Sequence, residues 1–275
     1  MVILITGASS GIGKACAEFL HQQGERVYGT SRRAPCAVGL HAVPEARRPA
    51  FDLIPLDVTS DQSVERAIGI VAAREGRIDA VVNNAGFGLA GSVETTTIEE
   101  AREQFETNFF GTMRVCRAVL PIMRQQGHGH ILNVSSIAGR IGIPFQALYG
   151  ASKFAVEGFT EALRMEVAPF GIRVVLVEPG DFHTGFTASR RMTHGSASGP
   201  YAARQARAIA VMEHDKMHGA TPESVGRLVH RILTNRSPAL RYTVGPASET
   251  LALALKRLAP SRLFEWGISR YYRVR

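Results

Sequence analysis

Tyr149 and Lys153 lie four positions apart in the stretch YGASK, after a serine-rich strand end. Side chains with this spacing share one face of a helix, so the phenol and the ammonium group can approach the same ligand. The pKa of a free tyrosine is about 10, too high for ready proton exchange near neutrality. Opposite charges ~4 Å apart at an effective dielectric of ~20 attract by ~4 kcal/mol, enough to lower that pKa by at most ~3. We therefore predict that Lys153 lowers the pKa of Tyr149; a plain surface pair is the alternative.

A glycine-rich turn near the N-terminus is suited to holding phosphate. TGASSGIG, residues 6–13, joins the first apolar run to an amphipathic segment. Gly7, Gly11 and Gly13 allow a tight turn, and they let backbone N–H groups approach a pyrophosphate at the positive end of a helix. The spacing G-x-x-x-G-x-G differs from the common G-x-G-x-x-G fingerprint. The position between a strand and a helix favours a dinucleotide site over a turn that binds no ligand.

Arginines after the second apolar run predict the type of dinucleotide. Ser31, Arg32 and Arg33 occupy the region that meets the adenosine ribose in such folds. An acidic residue there would accept the ribose hydroxyls of NAD, whereas an arginine fork suits a 2′-phosphate. We therefore predict NADP as the cofactor. The alternative is that both arginines only decorate an exposed loop.

Composition is that of an ordinary globular protein, with 275 residues, 45% apolar and 20% charged. Cys16, Cys36 and Cys116 form no CxxC pair, so neither a disulfide framework nor a zinc site is expected. No basic n-region precedes the first apolar run, and no run is long enough to span a membrane. We expect a cytoplasmic protein without a metal.

Positive charge is spread along the chain, except at its C-terminal end, and we expect no nucleic-acid partner. Residues 251–275 carry six Lys or Arg residues against Glu265, a balance of +5 within the formal charge of +8. Leucines and Trp266 accompany these cations, so the segment is a candidate for peripheral contact with a membrane or a partner. We favour instead a helix packed on its own domain with a solvated face.

Short apolar runs alternate with segments of helical spacing. The runs cover residues 2–6, 26–30, 79–83, 130–135 and 173–178, and they suit strands buried on both faces. Strands alternating with helices predict an α/β fold, a single-domain Rossmann-type doubly wound parallel sheet flanked by helices, with a substrate loop after strand six. We divide residues 1–275 into a cofactor-binding and catalytic core (1–185), a substrate loop or lid (186–220), and C-terminal helices with a basic tail (221–275). The segment 187–217 is a closing lid or a surface loop.

Three motifs together resemble the short-chain dehydrogenase/reductase family over about residues 1–185. They are TGxxxGxG at the N-terminus, NNAG at 83–86 and YxxxK at 149–153. The resemblance implies that Asn108, Ser136, Tyr149 and Lys153 form a catalytic tetrad, with Lys153 on the nicotinamide ribose and Asn108 holding a water. Together with the glycine-rich turn and the arginine segment described above, the resemblance gives the full set of expected cofactor-binding residues. They are Thr6, Gly7, Ser9, Ser10, Gly11, Ile12, Gly13, Ser31, Arg32, Arg33, Asp57, Val58, Asn84, Ala85, Gly86, Tyr149, Lys153, Pro179, Gly180 and Thr184.

Hydride transfer to a ketone leaves negative charge on the carbonyl oxygen, which needs a proton donor and a second hydrogen bond. Tyr149 and Ser136 can supply these. Ser135 competes with Ser136, but the strand-end position thirteen residues before Tyr149 favours Ser136. An apolar wall around the carbonyl is predicted from six residues: Phe87, Leu89, Phe145, Leu148, Phe182 and Phe186.

The leading hypothesis is an NADP-dependent oxidoreductase that interconverts an alcohol and its ketone or aldehyde. The stretches around Tyr149 and Pro179 resemble the hydroxysteroid and retinol dehydrogenase branch, which implies a steroid, a retinoid or another lipophilic substrate. One alternative is a 3-oxoacyl-carrier-protein-type reductase, and another is a non-catalytic NADPH-sensing regulator. The family resemblance implies a homodimer or homotetramer through the helices near 99–126 and 149–168.

Overall fold

The predicted parallel sheet is present in the computed structural model, which describes residues 1–34, 51–182, 190–195 and 198–275. Its strands are β1 (Val2–Ile5), β2 (Arg26–Ser31), β3 (Asp52–Pro55), β4 (Ala80–Asn83), β6 (Gly129–Val134), β7 (Ile172–Pro179) and β9 (Arg241–Val244). They pair in parallel in the order β3-β2-β1-β4-β6-β7-β9. Two short strands, β5 (Leu89–Ala90) and β8 (Arg191–Met192), form a separate parallel pair. The α/β fold prediction is confirmed.

Helices cover both faces of the main sheet. In chain order they are α1 (Gly11–Gln22), α2 (Asp61–Glu75), α3 (Ile98–Phe105), α4 (Gly111–Gln126), α5 (Ala147–Val167), α6 (Ala202–Met217), α7 (Glu223–Thr234), α8 (Ala247–Leu258) and α9 (Ser261–Tyr271). One apolar cluster joins the sheet to α2, α4 and α5, and another joins it to α1 and α7. Because both faces are buried, β1, β4 and β6 contain only buried residues, as their unbroken apolar character predicts.

The helical region near residues 99–126 is interrupted by an irregular turn. Helix α3 ends at Phe105, a π-helical turn covers Glu106–Phe110, and α4 follows. Asn108 lies on this turn, and its carbonyl accepts a hydrogen bond from Thr112 Oγ1 at 3.0 Å. Such turns occur often at functional sites.

The predicted substrate loop, 186–220, contains regular structure where it is described. Strand β8 pairs with β5, and α6 packs through Ala208 and Met212 against Tyr272 at the end of the chain. Helix α6 begins at Ala202, so a helix lies where the glycine- and serine-rich composition suggested a loop. None of the described helices combines the length and apolar character needed to cross a bilayer.

Candidate active site

The carboxyl ends of β1, β4, β6 and β7 meet at one edge of the sheet, because neighbouring parallel strands point the same way. A cavity of about 650 Å³ lies at this edge. The predicted site residues that line it are Gly7, Ser9, Ser10, Gly11, Ile12, Ser31, Arg32, Arg33, Asp57, Val58, Asn84, Ala85, Gly86, Ser136, Tyr149, Lys153, Pro179 and Gly180. Thr6, Gly13 and Asn108 lie behind this lining, and Thr184 lies outside the described residues.

The glycine turn is bound to the segment after β4. Thr6 Oγ1 accepts hydrogen bonds from the backbone N–H groups of Asn84 at 2.9 Å and Ala85 at 3.0 Å. Asn84 Nδ2 donates to the Thr6 carbonyl at 3.0 Å and the Gly7 carbonyl at 3.2 Å. A Cβ at Gly13 would lie 2.3 Å from Asn84 Nδ2, and Gly7 has a φ of +69°. Glycine is therefore required at both positions for this junction to form.

The N-terminus of α1 is arranged to receive an anion. Its N-cap, Ser10, makes no side-chain cap hydrogen bond, and no acidic residue lies in the first turn. Backbone N–H groups and the positive end of the helix dipole therefore face the cavity uncompensated by a carboxylate. Arg32 and Arg33 follow β2 and are exposed at the same cavity.

Asp57 and Val58 follow β3 and line the same cavity. Asp57 Oδ1 accepts from the Thr59 N–H at 3.0 Å and the Thr59 hydroxyl at 2.8 Å. Ser63 Oγ accepts from the Asp57 N–H at 2.9 Å. Val58 is buried and meets Gly111, where an added Cβ would lie 2.7 Å from Val58 Cγ2. These contacts fix the backbone of a segment that is predicted to bind the cofactor.

Tyr149 and Ser136 meet at the floor of the cavity. Ser136 caps a short 3₁₀ helix, and its Oγ accepts from the Ala138 N–H at 3.1 Å. Burial raises the pKa of Tyr149, and a side-chain hydrogen bond with Ser136 opposes that rise. Ser135 is also buried, and its backbone N–H donates to Val177 at 2.8 Å. Ser136 is thus the serine that pairs with the phenol.

Lys153 lies on the same face of α5 as Tyr149, as predicted. Its Nζ is 6.0 Å from the Tyr149 ring centroid and donates to the Val134 carbonyl at 2.8 Å. Burial lowers the pKa of Lys153 to about 8, opposed by the charge of Glu157. Desolvation of the phenol outweighs the effects that favour the phenolate, and the effect of Lys153 on the pKa of Tyr149 stays a prediction.

Asn108 does not line the cavity, and its side chain forms hydrogen bonds with residues next to the lining. Its Oδ1 accepts from the Phe87 N–H at 3.1 Å, and its Nδ2 donates to the Phe87 carbonyl at 3.0 Å and to Ser152 Oγ at 3.2 Å. The Ser152 hydroxyl in turn donates to the Tyr149 carbonyl at 2.7 Å. Asn108 therefore links the segment after β4 to the helical turn that carries Tyr149.

The predicted apolar wall is present only in part. Phe87 and Phe182 line the cavity, whereas Leu89, Phe145 and Leu148 do not. Leu89 belongs to β5, Phe145 packs against the cluster around α6, and Phe186 lies outside the described residues. Further lining residues carry no motif in the sequence that would have revealed them. They come from the segment before α5, the segments after β7, α6 and the chain end, and they are Ile143, Gln146, Asp181, Arg190, Arg191, Met212, Lys216 and Tyr272.

Asp181 and Glu249 form a carboxyl pair at one side of the cavity. Burial and the adjacent Asp181 charge raise the pKa of Glu249 to about 8. Burial also raises the pKa of Asp181, opposed by its hydrogen bond with Glu249 and by the charge of Lys216. The contact depends on glycine, since a Cβ at Gly180 would lie 1.5 Å from Glu249 Oε2. The two carboxyl groups interact directly, so the pair as a whole holds a proton to higher pH than two isolated carboxyl groups would.

Arg190 faces the same part of the cavity. Its three side-chain nitrogens are buried and make no hydrogen bond within the described ranges of the chain. Burial lowers the pKa of Arg190, while the negative charges of Glu213 and Asp181 raise it. Burial and the Arg190 charge lower the pKa of Lys216 to about 8. One end of the cavity is therefore polar, with buried charges of both signs.

Comparison with known proteins places this geometry in a family. The family model described as short chain dehydrogenase matches residues 1–195. The chain is similar to a 3-ketodihydrosphingosine reductase from Bacteroides thetaiotaomicron, with 41% identity over 100% of this chain and 98% of the relative. Retinol dehydrogenase 8 from Bos taurus is 35% identical, with 94% and 86% of the two chains covered. The solved closed form of a serine dehydrogenase complexed with NADP+ superposes with a TM-score of 0.75 at 28% identity, covering 90% and 96%.

Proposed function

The chain belongs to the short chain dehydrogenase family and is an oxidoreductase, and we propose that it uses NADPH to reduce the ketone of a lipophilic substrate. The observation that carries the proposal is the hydrogen bond between Ser136 and Tyr149 in a cavity shared with the glycine turn. Because its relatives are named reductases and dehydrogenases, the non-catalytic regulator is set aside.

The cavity fits a dinucleotide along its length. The uncapped N-terminus of α1 suits the pyrophosphate, Arg32 and Arg33 suit a 2′-phosphate, and the Asp57–Val58 segment suits the adenine. Lys153 and the Pro179–Gly180 segment would hold the nicotinamide end. A bound nicotinamide supplies the hydride for the reduction. The solved NADP+ complex of the serine dehydrogenase supports this choice of cofactor.

Tyr149 is the proposed proton donor to the carbonyl oxygen, and Ser136 supplies the second hydrogen bond. Burial raises the pKa of Tyr149, so the phenol keeps its proton near neutrality until negative charge develops on the carbonyl oxygen. Asn108 is proposed as a positioning residue, because its side chain reaches Tyr149 only through Ser152. Lys153 contributes positive charge beside the phenol as the oxyanion forms.

Replacing Arg32 tests the cofactor proposal. In Arg32→Ala we expect the Kd for NADPH to rise by roughly 10- to 100-fold, because a charge-assisted hydrogen bond is worth about 1.5–3 kcal/mol. The Kd for NADH should stay within a few-fold, since NADH has no 2′-phosphate. Fluorescence titration of both cofactors measures this, with the exposed Arg231→Met on α7 as the matched control. Equal affinity of the parent chain for both cofactors would contradict the NADP assignment.

The polar end of the cavity narrows the range of ketones that we propose as substrates. A 3-ketodihydrosphingosine, the substrate named for the Bacteroides relative, is a long-chain ketone with an amino group on the carbon beside the carbonyl and a hydroxyl group one carbon further. Its ammonium group matches the carboxyl pair of Asp181 and Glu249, of which Asp181 lines the cavity, and its hydroxyl oxygen matches the buried donors of Arg190. Apolar lining from Phe87, Met212 and other residues suits the adjoining chain. We propose an amino-alcohol ketone of this kind.

A substrate panel separates this proposal from its alternative. We expect NADPH-dependent turnover of a long-chain amino-alcohol ketone to exceed that of a 3-oxoacyl thioester, which offers an oxygen to Arg190 but no cation to Asp181. In Asp181→Asn, KM for the amino ketone should rise by roughly 10- to 100-fold, with little change for the analogous ketone lacking the amino group. Faster reduction of a carrier-bound 3-oxoacyl group than of any free ketone would favour the alternative.

A further inference from the structure

The C-terminal helix pair, α8 and α9, carries an unusually apolar outer surface. Neither helix contains a buried residue. Six of the fifteen exposed large hydrophobic side chains of the described residues belong to residues 251–275. Leu251, Leu255 and Leu258 are at least half exposed, at 60%, 50% and 82%, and on α9 Leu263 and Trp266 are 59% and 52% exposed.

These side chains form stripes at helical spacing. Positions 251, 255 and 258 share one face of α8, and positions 263 and 266 share one face of α9. The opposite faces meet the protein through the half-buried Leu253, Phe264 and Ile268. The helix pair thus has one face packed on the domain, as predicted. Its other face is exposed but carries large apolar side chains, where the prediction was an ordinary solvated face. Among the residues that the structure describes, this apolar face therefore has no packing partner.

The net charge of this segment indicates which kind of partner would bind the exposed apolar face. Residues 251–275 carry five of the eight net positive charges of the whole chain, with Glu265 as their one acidic residue. Lys256 turns inward, where its Nζ donates to the Arg140 carbonyl and lies 5.2 Å from the Phe154 ring centroid. The other five cations of this segment are arginines: Arg257, Arg262, Arg270, Arg273 and Arg275. Exposed leucine and tryptophan side chains in an arginine-rich segment match the interface of an anionic bilayer.

The same helices close one side of the active-site cavity. Tyr272, directly after α9, is buried and lines the cavity that holds Tyr149. Glu249 on α8 contacts the Asp181 N–H at 3.0 Å. An apolar outer surface and a cavity wall are therefore two faces of one helix pair. A bilayer on the outer face lies next to the cavity, where a lipid-dissolved substrate would enter.

We propose that α8 and α9 dock the enzyme on an anionic lipid bilayer, with Leu251, Leu255, Leu258, Leu263 and Trp266 inserted into its interface. Membrane binding itself is independent of the proposed reaction. The direct entry of substrate from the bilayer rests on the proposed lipophilic substrate.

Vesicle sedimentation with the full chain tests the docking surface. We expect binding to phosphatidylcholine vesicles that contain phosphatidylglycerol, and weaker binding without phosphatidylglycerol or at high salt. Leu255→Glu combined with Trp266→Glu should weaken binding by at least about 100-fold, since burying each large apolar side chain contributes roughly tenfold or more. Met165→Glu, at an apolar site on α5 that is 72% exposed, is the matched control and should bind like the parent.

Two further readouts separate the outcomes. Reduction of a water-soluble ketone should stay at the parent level in the double variant, whereas reduction of a vesicle-dissolved long-chain ketone should fall with binding. No binding of the parent to anionic vesicles, or unchanged binding of the double variant, overturns the proposal. A dimer mass in light scattering that the double variant loses would assign the surface to a second copy of the chain. Vesicle binding without turnover of any ketone would count against the proposed function only.

Discussion

Replacing Tyr149 with phenylalanine is expected to lower kcat for ketone reduction by about 10²- to 10⁴-fold, the range typical of a lost general acid. The change removes only the hydroxyl that hydrogen-bonds with Ser136, and it keeps the aromatic ring on α5. NADPH affinity should change little, since the glycine turn and Arg32 remain in place. Stopped-flow hydride transfer and a fluorescence titration on the same sample measure the two effects.

The neighbouring serines supply a matched control for this prediction. Ser136→Ala should lower kcat, because Ser136 pairs with the phenol, whereas Ser135→Ala should leave kcat near the parent value. Undiminished turnover by Tyr149→Phe would exclude Tyr149 as the proton donor. Loss of NADPH binding along with turnover would instead indicate a folding or cofactor defect.

Local patterns in the sequence predicted the frame of the site. Apolar runs identified β1, β4, β6 and β7, because strands buried on both faces need an unbroken apolar character. Parallel strands then fixed which edge the motifs share. Gly7 and Ser136 lie at one cavity because each lies just beyond a strand end at that edge, whereas Tyr149 reaches the cavity from the first turn of α5.

Tertiary contacts determined what the sequence could not predict. Tyr272 and Lys216 reach the cavity only because α6 packs against the end of the chain, more than sixty residues from Tyr149. The π-helical turn at Asn108 depends on contacts with Phe87 and Ser152, which spacing does not reveal. The Tyr149 pKa depends on burial, and a calculation from the Tyr149–Lys153 pair alone leaves out that desolvation.

Arg241 on β9 is expected to be the other position of large effect, on stability rather than turnover. Its Nε is 2.9 Å from Glu157 Oε2 and 3.3 Å from Glu178 Oε1. The Glu178 side chain is fully buried, and its other contacts are with Arg140 Nη1 at 3.0 Å and Thr243 Oγ1 at 2.9 Å. Breaking a buried ion pair by removing one partner typically costs 3–5 kcal/mol. We expect Arg241→Met to lower the free energy of unfolding by about 3 kcal/mol, measured by urea denaturation.

The network also connects stability to the site, because Glu178 directly precedes the Pro179–Gly180 segment and pairs with Thr243 across β7 and β9. A second substitution tests the cause of the loss. Adding Glu157→Gln to Arg241→Met removes one of the carboxylates left without its cation. The double variant should therefore regain about 1 kcal/mol or more of the free energy of unfolding that Arg241→Met loses. Arg231→Met, on the exposed side of α7, should change the free energy of unfolding by less than about 0.5 kcal/mol. If Arg241→Met behaved like Arg231→Met, the carboxylates around β7 would need no cation, and strand pairing alone would hold the nicotinamide-side segment in place.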